Sequence, residues 1–269
     1  MHYLISLQYK ITRNVAKSFK NLILSNTKVA VSKIFNRGFE KVQYFPVDKY
    51  KVVYVINSKA ACSSIKKGLI ELLEGESFKN NHYSEIHKYT QMKGYIVTNL
   101  NKRTSEYFFF SFVRNPFKRL VSLYINKFLD SEKITMSGYF QYEKYFGGYL
   151  LTQPMSFEKF IKTVCEIPDN LSERHFSSQK YLFKQSKKYP DFVGKIEDFE
   201  SDIHTLTSKT GIPLQLGVSN SSSNYNYYDF YTLELLELVS IRYKLDIDAF
   251  CYYDDYLKIK KYLKEKKDE

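Results

Sequence analysis

Chemistry is suggested first by Lys59, which stands in a short polar stretch between an apolar run and a helical pattern. The sequence there reads Lys51-Val52-Val53-Tyr54-Val55-Ile56-Asn57-Ser58-Lys59-Ala60-Ala61-Cys62-Ser63-Ser64-Ile65-Lys66. Its first six residues are largely apolar and β-branched, the pattern of a buried strand. Ile65, Leu69, Ile70, Leu72 and Leu73 then recur at helical spacing and stop at Gly75. A strand, a tight loop and a helix start make an anion site, because N–H groups of a first helical turn lack partners within the helix. Backbone N–H groups from Ala60 and Ala61 through Cys62 to Ser64 can line it. Lys59 adds a full charge, and Ser63 and Ser64 add hydroxyl donors. The loop differs from the usual nucleoside-triphosphate loop: it has no glycine, and its lysine opens the loop rather than closing it. An ordinary strand-to-helix turn with a solvated lysine fits the same residues.

A second stretch repeats the theme. Residues 107–113 form an aromatic, apolar run suited to a central strand, which ends in Arg114-Asn115-Pro116. Asn115 is a good N-cap, and Pro116 falls at the first helical position, where its missing N–H costs nothing. Phe117, Leu120, Val121, Tyr124, Ile125, Phe128 and Leu129 then make one apolar helical face. Ligands of open α/β sheets bind at the carboxyl ends of strands. Arg114 and Ser122 are therefore positioned to hold a second anion near the first.

The elements that must carry these loops read as one α/β domain with a central, mostly parallel sheet flanked by helices. Residues 1–45 form a basic, mildly amphipathic extension, expected as a helix packed on the domain, with an interfacial membrane helix as the alternative. Residues 46–256 are the domain, and 257–269 a charged, frayed tail. Gly94 to Thr98 could be a short strand, and the tyrosine-rich 138–150 a loop or lid. Ser156 caps a helix with Phe157, Phe160, Ile161 and Val164 inward. Residues 192–196 read as a short buried strand. Asp198 caps a helix closed by Gly211, and a last helix covers about 229–245.

Composition narrows the partners. The net charge of +12 over 269 residues favours polyanions: a nucleotide, an acidic glycan, nucleic acid or an anionic membrane surface. Nucleic acid is disfavoured because the aromatic residues fall on apparent core faces rather than on an exposed basic patch. A nucleotide kinase is disfavoured by the missing lysine-serine pair and magnesium carboxylate. Three widely spaced cysteines give neither a disulfide framework nor a zinc pattern and suit a reducing compartment. No stretch reaches the roughly 18 apolar residues that span a bilayer, and no signal-peptide core is evident. The expectation is a cytoplasmic protein, with peripheral contact to the inner face of the membrane as an option.

The two loops together resemble the carbohydrate sulfotransferases, the Golgi-type family and its bacterial relatives. The first loop is similar to their 5′-phosphosulfate loop, and Arg114 with Ser122 to their 3′-phosphate site. Arg174-His175-Phe176-Ser177-Ser178-Gln179 resembles a His-aromatic-x-x-Gln element of the family, and residues 192–199 a strand-to-helix element ending in Glu197-Asp198. Residues 243–252 resemble its closing Tyr-x-x-Asp pattern. The likeness runs in order from about residue 50 to 253. Ser58 stands where the family often has proline, and Ala61 where it often has glycine.

The resemblance implies a P-loop-NTPase-like sulfotransferase fold, 3′-phosphoadenosine 5′-phosphosulfate (PAPS) as donor, adenosine 3′,5′-bisphosphate as product, no metal, and a carbohydrate acceptor such as a bacterial surface or lipid-linked glycan. It makes Lys59 the cation at the departing nucleotide's bridging oxygen. His87 is the favoured general base, His175 its competitor or a sugar-positioning group, and His82 third; His2 and His204 lie in other segments. Glu197 is expected to be structural or part of the adenosine pocket. Asn220 and Ser221 resemble positions near the donor, and the tyrosines at 139, 142, 145 and 149 could stack on a sugar.

Overall fold

A computed structural model describes residues 41–78, 83–129, 155–215 and 225–268. The described residues fall into two compact units, one holding residues 41–123 with 174–268 and the other residues 124–129 with 155–173.

The larger unit is α/β. Its sheet has four strands in the order β1 (Tyr44–Val47), β2 (Val52–Val55), β3 (Phe108–Val113), β4 (Phe192–Lys195). Strands β2, β3 and β4 run parallel, with Val53 beside Phe109 and Phe112 beside Gly194. Strand β1 is antiparallel to β2 and pairs Tyr44 with Val55. It was not expected from the sequence, and it takes in two residues of the segment expected to be helical. Pro46 masks it, since proline is tolerated in sheets only at edges. The expected strand at Gly94–Thr98 is reduced to one bridge, Val97 to Tyr44.

Every residue of β2 is buried, as its unbroken apolar run requires. Helices α1 (Cys62–Glu74) and α2 (Tyr83–Met92) follow β2 in the chain. The apolar stripe of α1, Ile65, Leu69 and Ile70, packs in one core with Tyr54, Ile56, Phe110 and Phe112. Helix α3 (Pro116–Tyr124) follows β3. Its last turn widens into a π turn, Ile125–Leu129. That change of phase explains why Leu129, placed on the apolar face by its spacing, is 43% exposed.

In the smaller unit, Ser156 caps helix α4 (Phe157–Glu166) by accepting from Lys159 N–H, and Phe157, Phe160, Ile161 and Val164 are buried as their spacing demands. Tyr124 meets Phe157 edge-on, and Phe128 lies against Phe160.

Back in the larger unit, helix α5 (Gln179–Lys184) precedes β4 and helix α6 (Phe199–Thr210) follows it. Strand β4 is a half-buried edge rather than a fully buried strand. It can lie this close to β3 because Gly194 has no side chain: a Cβ there would stand 2.4 Å from the Phe112 ring. Asp198 precedes α6, but its side chain caps nothing; Asp202 instead accepts from the Lys195 N–H. Gly211 closes α6 in the left-handed conformation, as expected.

The chain ends in α7 (Leu233–Arg242), α8 (Lys244–Ala249) and α9 (Tyr253–Asp268). The frayed tail expected from residue 257 is thus a helix. Its Tyr256 and Ile259 are buried, Lys260 and Tyr256 reach Glu237, and Lys266 and Tyr262 reach Asp229. Among the described residues no helix is long and apolar enough to cross a membrane.

Candidate active site

The first loop leaves the carboxyl end of β2 and turns sharply without glycine. Lys59 and Ala61 both take left-handed backbone angles, with φ of 67° and 52°. Such geometry costs about 1–2 kcal/mol per non-glycine residue and persists where surrounding contacts enforce it. Those contacts are present. Asn57 Nδ2 donates to the Phe112 carbonyl at 2.8 Å and to Gln179 Oε1 at 2.9 Å. The Ser58 carbonyl accepts from Arg119 Nε at 3.0 Å. Ala60 is fully buried, while Lys59, Ala61, Cys62, Ser63 and Ser64 are half-buried. The N-cap of α1 is Ala61, which has no side-chain acceptor to offer the first turn. The positive end of the helix is therefore available to an anion.

The second loop is built differently. Asn115 Oδ1 accepts from Phe117 N–H at 2.9 Å and Lys118 N–H at 3.3 Å, so α3 is capped by its own chain. Asn115 N–H donates to Glu197 Oε1, whose other oxygen accepts from the Tyr252 hydroxyl at 3.0 Å. Arg114 is the cationic side chain of this loop. Burial pulls its pKa below the ordinary value, with Glu197 opposing. Its Nη1 reaches back to within 3.5 Å of the Lys59 carbonyl, which brings the two loops together. Ser122 is half-buried on α3, about 9 Å along the helix axis from Pro116 at the usual rise. No hydrogen bond joins it to Arg114.

A buried frame holds both loops. Gln179 Oε1 accepts from Arg114 N–H, and Gln179 Nε2 donates to the Arg114 carbonyl. Asp246, fully buried, accepts from the N–H groups of Gln179 and Lys180. Burial raises its pKa, and those backbone donors work against the rise. Arg119, only 1% exposed, forks onto the carbonyls of Ser58, Ser177 and Arg174. Gln179, Glu197 and Asp246 belong to the motifs that carried the resemblance, and here they brace the site. Arg119 was missed: it lies off the apolar stripe of α3 and reads as solvent-facing.

Of the candidate bases, His87 is half-buried on α2, with Nε2 at 3.4 Å from Ser63 Oγ and Nδ1 at 3.0 Å from Lys66 Nζ. His175 is half-buried in the segment that Arg119 grips at Arg174 and Ser177, so it is tied to the first loop through Ser58. His204 is exposed on α6. His2, His82, Asn220, Ser221 and the tyrosines at 139, 142, 145 and 149 lie outside the described residues. Lys66 was also missed, because its partner comes from another helix.

Both loops thus lie at the carboxyl ends of neighbouring parallel strands, where open α/β sheets bind their ligands. Residues 42–253 match the model of the sulfotransferase family, and the chain belongs to that family. It is 25% identical to mouse carbohydrate sulfotransferase 11 over 252 residues, covering 81% of this chain and 70% of that protein. It is 24% identical to human carbohydrate sulfotransferase 14 over 233 residues, covering 76% of this chain and 58% of that one. Chicken carbohydrate sulfotransferase 10 is 28% identical over 286 aligned positions, covering 93% and 76%. No solved structure matches the chain.

Proposed function

We propose that the protein moves the sulfuryl group of PAPS onto a hydroxyl of a carbohydrate, without a metal. The observation that carries this reading is the contact of Arg114 with the Lys59 loop, which sets a half-buried guanidinium beside an uncapped helix start. A donor phosphorylated at both the 3′ and the 5′ position of its ribose needs two such sites. Bound there, PAPS supplies the sulfuryl group and leaves as adenosine 3′,5′-bisphosphate.

The residues fit that donor in chemical type. Lys59 supplies charge where negative charge builds on the bridging oxygen during in-line transfer. The first turn of α1, with the Ser63 and Ser64 hydroxyls, holds the phosphosulfate end. Arg114 forks onto the 3′-phosphate, with Ser122 as the accompanying hydroxyl. His87 takes the acceptor's proton; its contact with Ser63 supports it over His175, which is left to orient the sugar. The acceptor class comes from the carbohydrate sulfotransferases the chain resembles. The net charge of +12 favours an acidic or lipid-linked glycan worked at an anionic surface on the cytoplasmic side. The rival nucleic-acid reading loses support because Phe109, Phe110 and Phe112 are fully buried and cannot stack on bases.

The test is incubation with sulfur-labelled PAPS and a panel of unsulfated acidic and neutral polysaccharides. Label is expected in at least one polymer, at a rate lowered about 10²- to 10³-fold in a Lys59→Met variant. Label in small phenols and in no carbohydrate would overturn the acceptor class.

A further inference from the structure

Lys66 follows Ser63 by one helical turn on α1, yet its side chain is carried into the protein and only 3% of the residue is exposed. Lysine is almost never fully buried unless paired. Here its partner is a ring nitrogen, His87 Nδ1 at 3.0 Å, while His87 Nε2 faces Ser63 Oγ at 3.4 Å. An ammonium can only donate. While Lys66 is charged, Nδ1 must therefore be the acceptor, and a neutral imidazole carries its proton on Nε2. In that tautomer the nitrogen facing Ser63 has no lone pair for a proton. A neutral Lys66 lifts that constraint: its lone pair can accept from Nδ1–H, the tautomer in which Nε2 is a base.

We propose that Lys66 is the positioning residue of His87, selecting its tautomer and receiving the proton that His87 removes from the acceptor hydroxyl. This rests on the reading of His87 as the base. The acceptor O–H bond breaks as Nε2–H forms, and the Nδ1 proton passes to Lys66 Nζ. Lys66 ends as ammonium and His87 as neutral imidazole. Recovery runs in reverse, with Nζ–H returning a proton to Nδ1 and Nε2–H losing one to water. The titratable and charged groups facing Lys66 are His87 from α2, Cys62 from its own helix and Arg174 from the segment before α5. Burial is the main influence and brings Lys66 down to about 8, with Cys62 opposing and Arg174 adding to the fall. The exchange of tautomers is thus within reach of ordinary pH.

The experiment is nitrogen-15 NMR of the histidine rings in the full chain, titrated from about pH 6.5 to about 9.5, a range spanning histidine and lowered lysine values. The His87 signals are assigned by their loss in His87→Asn. The expected result is an Nε2–H tautomer at the acid end that gives way to Nδ1–H near pH 8. Lys66→Arg, a permanent cation, should hold Nε2–H throughout, and Lys66→Met should abolish the exchange. A single His87 tautomer across the range in the unmodified protein, or an unchanged exchange in Lys66→Arg, overturns the proposal. Calorimetry with adenosine 3′,5′-bisphosphate on the same samples keeps the two readings apart. An exchange without nucleotide binding upholds the pair and overturns the donor assignment alone.

Discussion

The two loops at the carboxyl ends of β2 and β3 solve the same problem in opposite ways. In the β3 loop the backbone is satisfied: Asn115 caps α3, Glu197 takes the Asn115 N–H, and Gln179 pairs with both the N–H and the carbonyl of Arg114. The β2 loop leaves the start of α1 without a side-chain cap and bends through two left-handed non-glycine residues. The closed loop presents one side chain, Arg114, from a rigid base. The open loop presents backbone donors, and its shape is held by its own Asn57, which donates to the Phe112 carbonyl, and by Arg119 from α3. The start of the helix is thus capped in one loop and uncapped in the other, although both follow a parallel strand.

That contrast can be broken at graded cost. Lys59→Met should lower kcat about 10²- to 10³-fold, the usual loss for one preorganised charge, with an unchanged Tm; a lowered Tm would make Lys59 a structural residue. Lys66 offers a pH test of the open side. Its pKa falls from 10.5 to about 8 on folding, so between those values the unfolded chain binds more protons and stability rises with pH. The penalty is complete below about pH 8 and relieved on the way to 10.5, on the order of 3 kcal/mol at 1.36 kcal/mol per unit. Any stability gain of Lys66→Met over the parent should therefore shrink from pH 7 to pH 10 in urea titrations. Asn115→Ala strips the cap of the closed loop and should cost about 2 kcal/mol. Smallest is Ala61→Gly, which relieves a left-handed alanine and should change stability by no more than about 1 kcal/mol, read as a shift in the urea midpoint.

The closed loop was legible in the sequence because its signals are local: a cap, a proline and a helical stripe within a few residues. The open loop was legible as strand, loop and helix, since Val52 to Ile56 and the Ile65 stripe are also local patterns. Its support was not. Arg119 reads as a polar-face residue until the carbonyls of Ser58, Arg174 and Ser177 converge on it from distant segments. The same holds for Lys66, whose imidazole partner comes from α2, and for β1, a four-residue strand hidden by Pro46. The C-terminal helix misled for a related reason. Its lysines look like a solvated tail until Glu237 and Asp229 are brought beside Lys260 and Lys266. Periodicity reports what a residue does within its own element and says little about partners chosen by tertiary packing.

The proposed function requires the open loop and Arg114 together to bind a donor phosphorylated at both the 3′ and the 5′ position of its ribose. Its most direct test is calorimetry of adenosine 3′,5′-bisphosphate against 5′-AMP, in the parent protein and in Arg114→Ala. The bisphosphate should bind, and its binding should weaken about 10²-fold either on removing the 3′-phosphate or on removing Arg114, in line with one bidentate charged contact. Equal affinity for the two nucleotides, or no loss in Arg114→Ala, would contradict it.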